Sequence, residues 1–439
     1  MKPDLVIRSA NLPTGEEGMD IVVADGLIQV IGPNIETEGE EEIDASGCLV
    51  SPPFVDCHFH MDATLSLGLP RLNRSGTLLE GIALWGELKP LLTHEAVIDR
   101  ALTYCDMAIA QGIQAIRSHV DICDDRLLGV EALLDVKARI APWLDLQLVA
   151  FPQDGLYRSA NARANLVRAL DLGVDVVGGI PHFERTMAEG ARSVTDLCTL
   201  AADRGLMVDM HCDESDDPMS RHIETLAFEC QRLGLQGRVA GSHLTSMHSM
   251  DNYYVSKLIP LIAEAGVAAI ANPLINICIQ GRQDTYPKRR GHTRIEEMKA
   301  AGITVAFGQD CVMDPWYSLG SGDMLDVAHM AVHVAQRTSL DAMRDCFLSV
   351  TRFPAEVMGL SSYGLRPGAA AHLVILDAAD PVEAIRLRAA RLKVLRAGRV
   401  VAESPPRRSR LHIDGRPRET AFRRPAHAST GASSPWKRG

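Results

Sequence analysis

Residues 52–62 read Pro-Pro-Phe-Val-Asp-Cys-His-Phe-His-Met-Asp, a short apolar run that ends in two histidines, His58 and His60. On a β-strand, side chains two residues apart point to the same face about 6.6 Å apart, so these imidazoles can converge on one ion. A helix would splay them by about 200°, and the β-branched and aromatic residues of the run favour a strand. Paired histidines on a strand are more often surface residues, so the metal interpretation requires partners elsewhere in the chain.

Seven further apolar runs follow, separated by longer amphipathic stretches typical of helices. Together with the opening run, they predict eight strands at residues 54–58, 114–119, 146–151, 174–178, 207–211, 239–243, 267–271 and 303–307. Parallel strands need crossover helices, so this alternation predicts a (β/α)₈ TIM barrel over residues 51–361. A doubly wound open sheet is the alternative, but it gives no reason for polar residues at the ends of several different strands.

The two chain ends share a different pattern. Residues 3–50 alternate apolar and polar positions between turn signals, as short antiparallel strands do, and a matching pattern returns near the C-terminus. Neither end alone has enough strands to bury a face. We therefore expect residues 1–50 and 362–403 to form one small β-sandwich domain.

Composition and charge narrow the classes of function. The chain has 439 residues, 46% of them hydrophobic, and a formal net charge of −11. Residues 404–439 carry nine basic and two acidic side chains, so the acidic charge lies in the rest of the chain. An acidic body has no reason to bind polymeric nucleic acid, and the Arg- and Pro-rich tail reads as disordered.

The sequence also predicts the protein's environment. It has no apolar run long enough to span a membrane and no signal-peptide pattern at its start. Its ten cysteines are scattered, without a Cys-x-x-Cys pair, which argues against disulfides and a structural zinc site. We expect a soluble cytoplasmic protein without a membrane partner.

Polar side chains collect at the ends of the predicted barrel strands. The set comprises His58, His60, His119, Asp121, Gln153, His211, His243 and Asp310. A barrel brings all of these strand ends to one face, where the chemistry of such folds takes place. Three neutral imidazoles and one carboxylate suit Zn²⁺ or Fe²⁺ and leave a position open for water. We assign the metal to His58, His60, His211 and Asp310.

Hydrolysis at such a site needs groups that move protons. Glu214 lies three residues beyond His211, in the loop expected above the barrel mouth, and can carry a proton between water and substrate. His243 ends the next strand and is placed to hold the water. A bound divalent ion lowers the pKa of water from about 15.7 to near 7, which provides a nucleophile at neutral pH.

Longer motifs resemble the amidohydrolase superfamily and, within it, bacterial cytosine deaminases. The resemblance rests on residues 52–62, 73–81, 149–153, 211–214, 281–291 and 314–320, and extends to about residue 402. It implies one divalent ion per subunit, held by the four assigned ligands, with Glu214 as proton shuttle and His243 orienting or deprotonating the water. It also implies that the protein forms a homo-oligomer and that its small-molecule partner is a free pyrimidine base.

The same resemblance implies the substrate contacts. Gln153 matches the family glutamine that reads the ring carbonyl and its adjacent nitrogen, because a side-chain amide offers both a donor and an acceptor. The backbone near Leu78 and the indole of Trp316 would line the ring pocket, although a core position is an alternative for Trp316. Binuclear relatives carry a carboxylated lysine on the fourth strand, whereas residues 174–181 contain none.

One position departs from the family. Cytosine deaminases have a second aspartate after the ligand aspartate, and this chain has Cys311 there. A smaller, neutral side chain frees volume for a C5 methyl group, so we expect 5-methylcytosine to be deaminated at least as well as cytosine, and 5-fluorocytosine to be accepted. Three alternatives remain: drift that only weakens cytosine binding, a deaminase of isoguanine, creatinine or a triazine, and a metal-binding protein without catalysis.

Overall fold

The computed structural model describes residues 2–424 of the chain. Its strands are β1 (Leu5–Ala10), β2 (Met19–Ala24), β3 (Leu27–Pro33), β4 (Glu41–Asp44), β5 (Leu49–Ser51), β6 (Phe54–Phe59), β7 (Ile113–Asp121), β8 (Asp145–Phe151), β9 (Val176–Gly179), β10 (Met207–Cys212), β11 (Val239–His243), β12 (Ala268–Ala271), β13 (Val305–Phe307), β14 (Leu373–Leu376), β15 (Arg391–Arg396), β16 (Arg399–Glu403), β17 (Arg408–Arg410) and β18 (Glu419–Ala421).

The α-helices occupy most of the connections between strands. They are α1 (Leu78–Leu88), α2 (His94–Ala110), α3 (Leu128–Ile140), α4 (Ala162–Asp171), α5 (Met187–Arg204), α6 (His222–Leu233), α7 (Asn252–Glu264), α8 (Pro273–Ile279), α9 (Ile295–Ala300), α10 (Met324–Val334), α11 (Leu340–Leu348), α12 (Arg352–Met358) and α13 (Pro381–Leu387). Short 3₁₀ helices lie at Lys89–Leu91, Pro181–Phe183 and Thr245–Ser249.

Eight parallel strands form the central sheet, in the order β6 to β13 along the chain. This confirms the predicted barrel class and all eight predicted strands, with shifts of a few residues at the ends. The largest shifts are at β9 and β13, which begin two residues later than predicted, while β7 continues two residues further, to Asp121. Strand ends are set by backbone pairing, which apolar periodicity does not specify.

The barrel closes at the predicted metal ligands. The backbone N–H of Asp310 donates to the carbonyl of His58 at 2.8 Å, and the N–H of His60 donates to the carbonyl of Asp310 at 3.1 Å. These two bonds join the end of β6 to the residues after β13. The seam of the barrel and the candidate site are therefore the same piece of backbone.

The opposite end of the barrel is closed by α12. Its Ala355 and Met358 pack against small apolar residues that point into the barrel, including Val55, Ala115 and Ala240. All five side chains are buried. Hydrophobic packing of this kind seals the base and leaves the mouth as the opening to solvent.

Both chain ends contribute to two small sheets outside the barrel. One has the order β3-β2-β1-β4, and the other has the order β16-β15-β14-β5. Their inner faces share one apolar core that includes Ile7, Ile21, Leu373 and Leu395. This agrees with the predicted β-sandwich built from both ends. The boundary at residues 50 and 51 falls inside β5, and the domain limits stay a prediction.

Part of the basic tail differs from the expectation of disorder. β17 and β18 pair as an antiparallel hairpin, and the segment that follows contacts α13, where the backbone N–H of Arg424 donates to Glu383 at 2.5 Å. Charge pairing and backbone hydrogen bonds, which an apolar pattern does not reveal, hold this segment. The rest of the predicted tail, residues 425–439, lies outside the described residues.

Within residues 2–424, no helix combines the length and apolar character needed to cross a bilayer. The ten cysteines are all free thiols, and most of them are buried, as expected for small apolar side chains.

Candidate active site

Three imidazoles and one carboxylate converge at the mouth of the barrel, as the sequence predicted. The Nε2 atoms of His60 and His211 are 3.2 Å apart. Asp310 Oδ1 lies 3.6 Å from His58 Nε2 and 3.5 Å from His60 Nε2. All four side chains are buried. Imidazole nitrogens from the ends of β6 and β10 and a carboxylate oxygen from the loop after β13 therefore lie close together at the mouth.

The protonation of these groups suits a divalent cation. Burial lowers the pKa of His58, His60 and His211, and neighbouring imidazoles lower it further, so the rings are neutral and keep a lone pair. Among the described residues, His58 Nε2, the nitrogen that faces Asp310, has no hydrogen-bond partner. Orphaned buried nitrogens are costly. A metal ion at this point would satisfy such atoms, and the residues present fit one.

A fourth histidine lies beneath this group. His119, on β7, has its ring centroid 4.3 Å from that of His58, and His58, His60 and His119 form another set of closely spaced nitrogens. The sequence placed His119 at a strand end but gave it no role. The sequence also did not predict a role for Phe151. Its ring stacks on that of His211, with the ring centroids 4.2 Å apart, and fixes the plane of that imidazole.

Glu214 and His243 face each other at the rim of the same point. Glu214 Oε1 lies 3.2 Å from His243 Nδ1, and His243 Nε2 lies 3.8 Å from Asp310 Oδ2. Burial, and then the neighbouring Asp310 carboxylate, raise the pKa of Glu214 well above its usual value. A carboxyl group with a raised pKa can hold a proton near neutral pH, which is what proton transfer to a substrate requires.

The loop that carries Glu214 is anchored by its neighbour. The carboxylate of Asp213 accepts hydrogen bonds from Ser220 Oγ at 3.0 Å and from the backbone N–H of Ile223 at 3.2 Å, and it pairs with His222 Nδ1 at 2.5 Å. These bonds tie the start of α6 to the end of β10. Glu214 is therefore held against the histidine cluster by a buried polar cluster.

Two site residues adopt a left-handed backbone. The φ angles of His243 and Asp310 are 70° and 68°. Such a conformation costs a non-glycine residue about 1–3 kcal/mol and persists where surrounding structure enforces it, often at functional sites. Here the seam bonds of Asp310 enforce it and turn its carboxylate toward the histidines.

A narrow cavity with about 30 Å³ of free volume opens directly on the cluster. Its walls include all four predicted substrate contacts, Leu78, Gln153, Cys311 and Trp316. The side-chain amide of Gln153 makes no hydrogen bond to any described residue, so its donor and acceptor are available to a ligand.

Four isoleucines complete the cavity wall and were not predicted: Ile82, Ile180, Ile275 and Ile279. They come from α1, the loop after β9 and α8, which the sequence gives no reason to bring together. Their branched side chains make the cavity largely apolar around a few polar groups, the usual composition of a pocket for a flat ring.

Trp316 packs against α1 at a glycine. A Cβ atom built on Gly81 would lie 2.3 Å from Trp316 Cδ1, a distance that excludes any side chain. The same helix supplies Leu78 and Ile82 to the cavity wall. Gly81 therefore lets the half-buried indole lie flat against α1 as one side of the pocket, and Trp316 is not a plain core residue.

Cys311 lies between two carboxyl groups. Its Sγ atom is 3.4 Å from Asp310 Oδ1, and Asp314 is close on its other side. Burial, and then the charges of Asp310 and Asp314, raise the pKa of Cys311 well above its usual value, so it is a neutral thiol. Burial also raises the pKa of Asp314 to about 6. A further carboxylate at position 311 would meet strong repulsion here.

The sequence pattern of the amidohydrolase family matches residues 41–402. The chain belongs to this family. Among solved structures, this amidohydrolase is similar to the 5-methylcytosine deaminase of Klebsiella pneumoniae liganded with 5-fluorocytosine, with 42% identity and a TM-score of 0.90, over 92% of this chain and 99% of that chain. This confirms the predicted resemblance to cytosine deaminases.

Two characterised relatives are more distant. The N-isopropylammelide isopropyl amidohydrolase of Pseudomonas sp. strain ADP is 30% identical over 91% of this chain and 97% of its own length. The pterin deaminase of Rhizobium rhizogenes is 29% identical over 88% of each. These two relatives are named for different substrates, so membership of the family does not by itself identify the substrate of this chain.

Proposed function

We propose that this amidohydrolase deaminates free aminopyrimidines, converting 5-methylcytosine and water to thymine and ammonia, and cytosine to uracil and ammonia. The observation that carries this proposal is the joint placement of Gln153, Trp316 and Cys311 in a small cavity that opens on the histidine cluster. The 5-methylcytosine deaminase of Klebsiella pneumoniae, whose structure holds 5-fluorocytosine, supports the same class of substrate, and we propose 5-fluorocytosine as a further substrate.

The ligand set is part of the proposal. His58, His60, His211 and Asp310 would hold one divalent ion, Fe²⁺ or Zn²⁺, because imidazole and carboxylate accept both. β9 contains no lysine, which supports a single ion. When bound, such an ion supplies a Lewis acid that brings the pKa of water from about 15.7 to about 7.

The chain's own groups supply the rest of the reaction. The Gln153 amide offers an acceptor and a donor to a ring N–H and the ring carbonyl, and so orients the base. His243 orients the attacking water or takes its proton. Glu214 passes protons to the ring nitrogen and to the departing amino group, so that C–O bond formation and C–N bond cleavage end in a carbonyl and ammonia.

Cys311 is proposed to set the preference at C5 of the pyrimidine. A neutral thiol accepts apolar contact, and burial of a methyl group is worth about 0.8 kcal/mol. A carboxylate at the same place would be larger and charged, and packing a methyl group against it would cost about 1–3 kcal/mol in strain alone. The free energy of burying the methyl group and the absence of strain both favour the methylated base when residue 311 is cysteine.

A fused two-ring substrate such as isoguanine is the weaker candidate. The cavity is small, and bulky side chains from three segments, Trp316, Ile180 and Ile275, enclose it. A single ring matches this space better than a bicyclic ring does. The cytoplasmic location and the homo-oligomeric state stay predictions from the sequence.

The proposal is tested by metal replacement. Protein stripped with a chelator is reloaded with one equivalent of Fe²⁺, Zn²⁺ or Mn²⁺, and ammonia and pyrimidine products are measured for cytosine, 5-methylcytosine and 5-fluorocytosine. We expect no turnover without metal and thymine formation after reloading. Glu214→Gln protein treated identically is the control for contaminating activity. Reloaded wild-type protein that releases no ammonia from any of the three bases would overturn the proposal.

A further inference from the structure

A row of buried polar side chains runs down the barrel axis below His58. Ser242 Oγ lies 3.0 Å from His58 Nδ1 and 2.7 Å from Asp209 Oδ1, and Asp209 Oδ2 lies 2.9 Å from Arg117 Nη1. None of these side chains is more than 1% exposed. The row begins at the apolar base of the barrel and ends at a proposed metal ligand.

The deep end of the row is fixed by its contacts. Arg117 donates from Nε to Gln147 Oε1 at 2.6 Å and from Nη2 to the carbonyl of Val357 in α12 at 3.1 Å. A guanidinium stays charged in proteins. Its positive charge keeps the Asp209 carboxyl group ionised, so both oxygens of Asp209 can only accept hydrogen bonds. The donor and acceptor in each of the other hydrogen bonds of the row follow from the ionised Asp209.

Asp209 determines the orientation of the Ser242 hydroxyl. A carboxylate only accepts, so the single hydrogen of Ser242 Oγ is donated to Asp209. The serine oxygen is then left as the acceptor for His58 Nδ1, which must carry the ring hydrogen. His58 Nε2 consequently has the free lone pair, and this is the nitrogen that faces Asp310.

We infer that Ser242, oriented by Asp209 and Arg117, is a positioning residue that holds His58 in the tautomer and ring plane required of a metal ligand. The inference rests on the proposed ligand role of His58. A buried ion pair such as Arg117 with Asp209 is seldom worth more to stability than apolar side chains of the same volume. This ion pair reaches His58 through Ser242, so it can orient a proposed metal ligand, which apolar side chains in the same place could not do.

The test measures metal affinity directly. The dissociation constant of Zn²⁺ is measured by competition with a chelator for wild type, Ser242→Ala and Ser246→Ala. Loss of a partner that orients a metal ligand weakens binding by about 10–100-fold, and we expect this for Ser242→Ala. Ser246 is the matched control, because it is equally buried and its hydroxyl has no partner in the described chain; we expect no change there.

A nuclear magnetic resonance measurement distinguishes a specific effect on the His58 tautomer from a general loss of structure around the site. In Zn²⁺-loaded protein labelled with ¹⁵N-histidine, we expect a slowly exchanging Nδ1–H signal of His58 that Ser242→Ala loses and Ser246→Ala keeps. Asp209→Asn offers an amide donor to Ser242 and frees the serine to donate to Nδ1, so it should favour the wrong tautomer. Combined with Ser242→Ala, it should weaken Zn²⁺ binding no further.

Wild-type Zn²⁺ affinity and an unchanged Nδ1–H signal in Ser242→Ala would overturn the inference, whatever the enzyme's substrate. If Asp209→Asn fails to fold, Ser242→Ala decides alone. Protein that binds Zn²⁺ with the expected dependence on Ser242 but deaminates no pyrimidine would leave the inference standing and overturn the proposed function.

Discussion

The two ends of the barrel bury different kinds of side chain. At the base, strand residues such as Ala115 and Ala240 are small and apolar and pack under α12. Near the mouth, the same strands carry His119 and His243, which are buried and lie among other titratable groups. The backbone is continuous, but the environment changes within a few residues.

This difference shows how a barrel separates stability from chemistry. Apolar packing at the base needs no partner outside the chain. Buried imidazoles and carboxylates at the mouth cost free energy unless something binds them. Changes at the mouth should therefore act on metal binding and turnover, and changes to the apolar side chains of the base should act on the free energy of unfolding.

The largest expected effect is at the ligands. His211→Ala, like the matching changes at His58, His60 and Asp310, removes one of four proposed ligands. We expect strongly reduced metal content by elemental analysis and turnover at the background level, while the circular dichroism spectrum stays that of the folded protein. Fully active, metal-loaded His211→Ala protein would show that the ligand assignment is wrong.

Met358→Ala at the base is the counterpart to that change. Removing a buried Met side chain costs about 2–5 kcal/mol of unfolding free energy, which a denaturant titration measures. We expect the metal content and kcat per folded molecule to stay at wild-type values. A specific loss of metal from Met358→Ala protein would mean that the apolar packing of the base also supports metal binding.

The next effect concerns Glu214 alone. Glu214→Gln keeps the size and shape of the side chain, but its amide cannot take up or release a proton. We expect metal content and substrate binding to be retained, and kcat to fall by about 10²–10⁴-fold, the usual contribution of a positioned proton-transfer group. Steady-state kinetics together with a binding measurement separates these effects. Wild-type turnover in this variant would place the proton shuttle elsewhere.

Truncation after Ser404 should have the smallest effect. The removed hairpin is exposed, and the segment after it contacts α13 through ion pairs such as that between Arg423 and the buried Glu383. Glu383 keeps Arg386 and the backbone N–H of Ala379 as partners after truncation. We expect unchanged kcat/KM and a small decrease in Tm. Loss of soluble protein would instead mean that the tail is needed to cover the acidic start of α13.

Much of this architecture could be predicted because each feature has a local signal. Apolar runs marked the strands, and polar residues at their ends marked the mouth, since parallel strands bring their ends to one face. Cys311 was found because it interrupts a family motif. In each case the information lies within a few residues of the feature.

Other features depend on contacts between distant segments. Arg117 and Asp209 are on strands separated by 92 residues in the chain, and either could have been an ordinary surface charge. Ile180 and Ile275 resemble any other core isoleucine until the loops place them in one cavity. The hairpin of the tail depends on backbone pairing and on acidic residues of α13, and its own composition does not reveal these partners.

The most direct test of the central claim is the ratio of kcat/KM for 5-methylcytosine to that for cytosine, measured on wild type, Cys311→Asp and the neutral control Cys311→Ser. Wild type should favour 5-methylcytosine or treat both bases equally. Cys311→Asp should lower the ratio by roughly 20- to 600-fold, from the combined transfer and packing terms for one methyl group, while Cys311→Ser should change it little. A ratio that is the same in all three proteins would show that Cys311 does not set the preference and that its presence reflects drift.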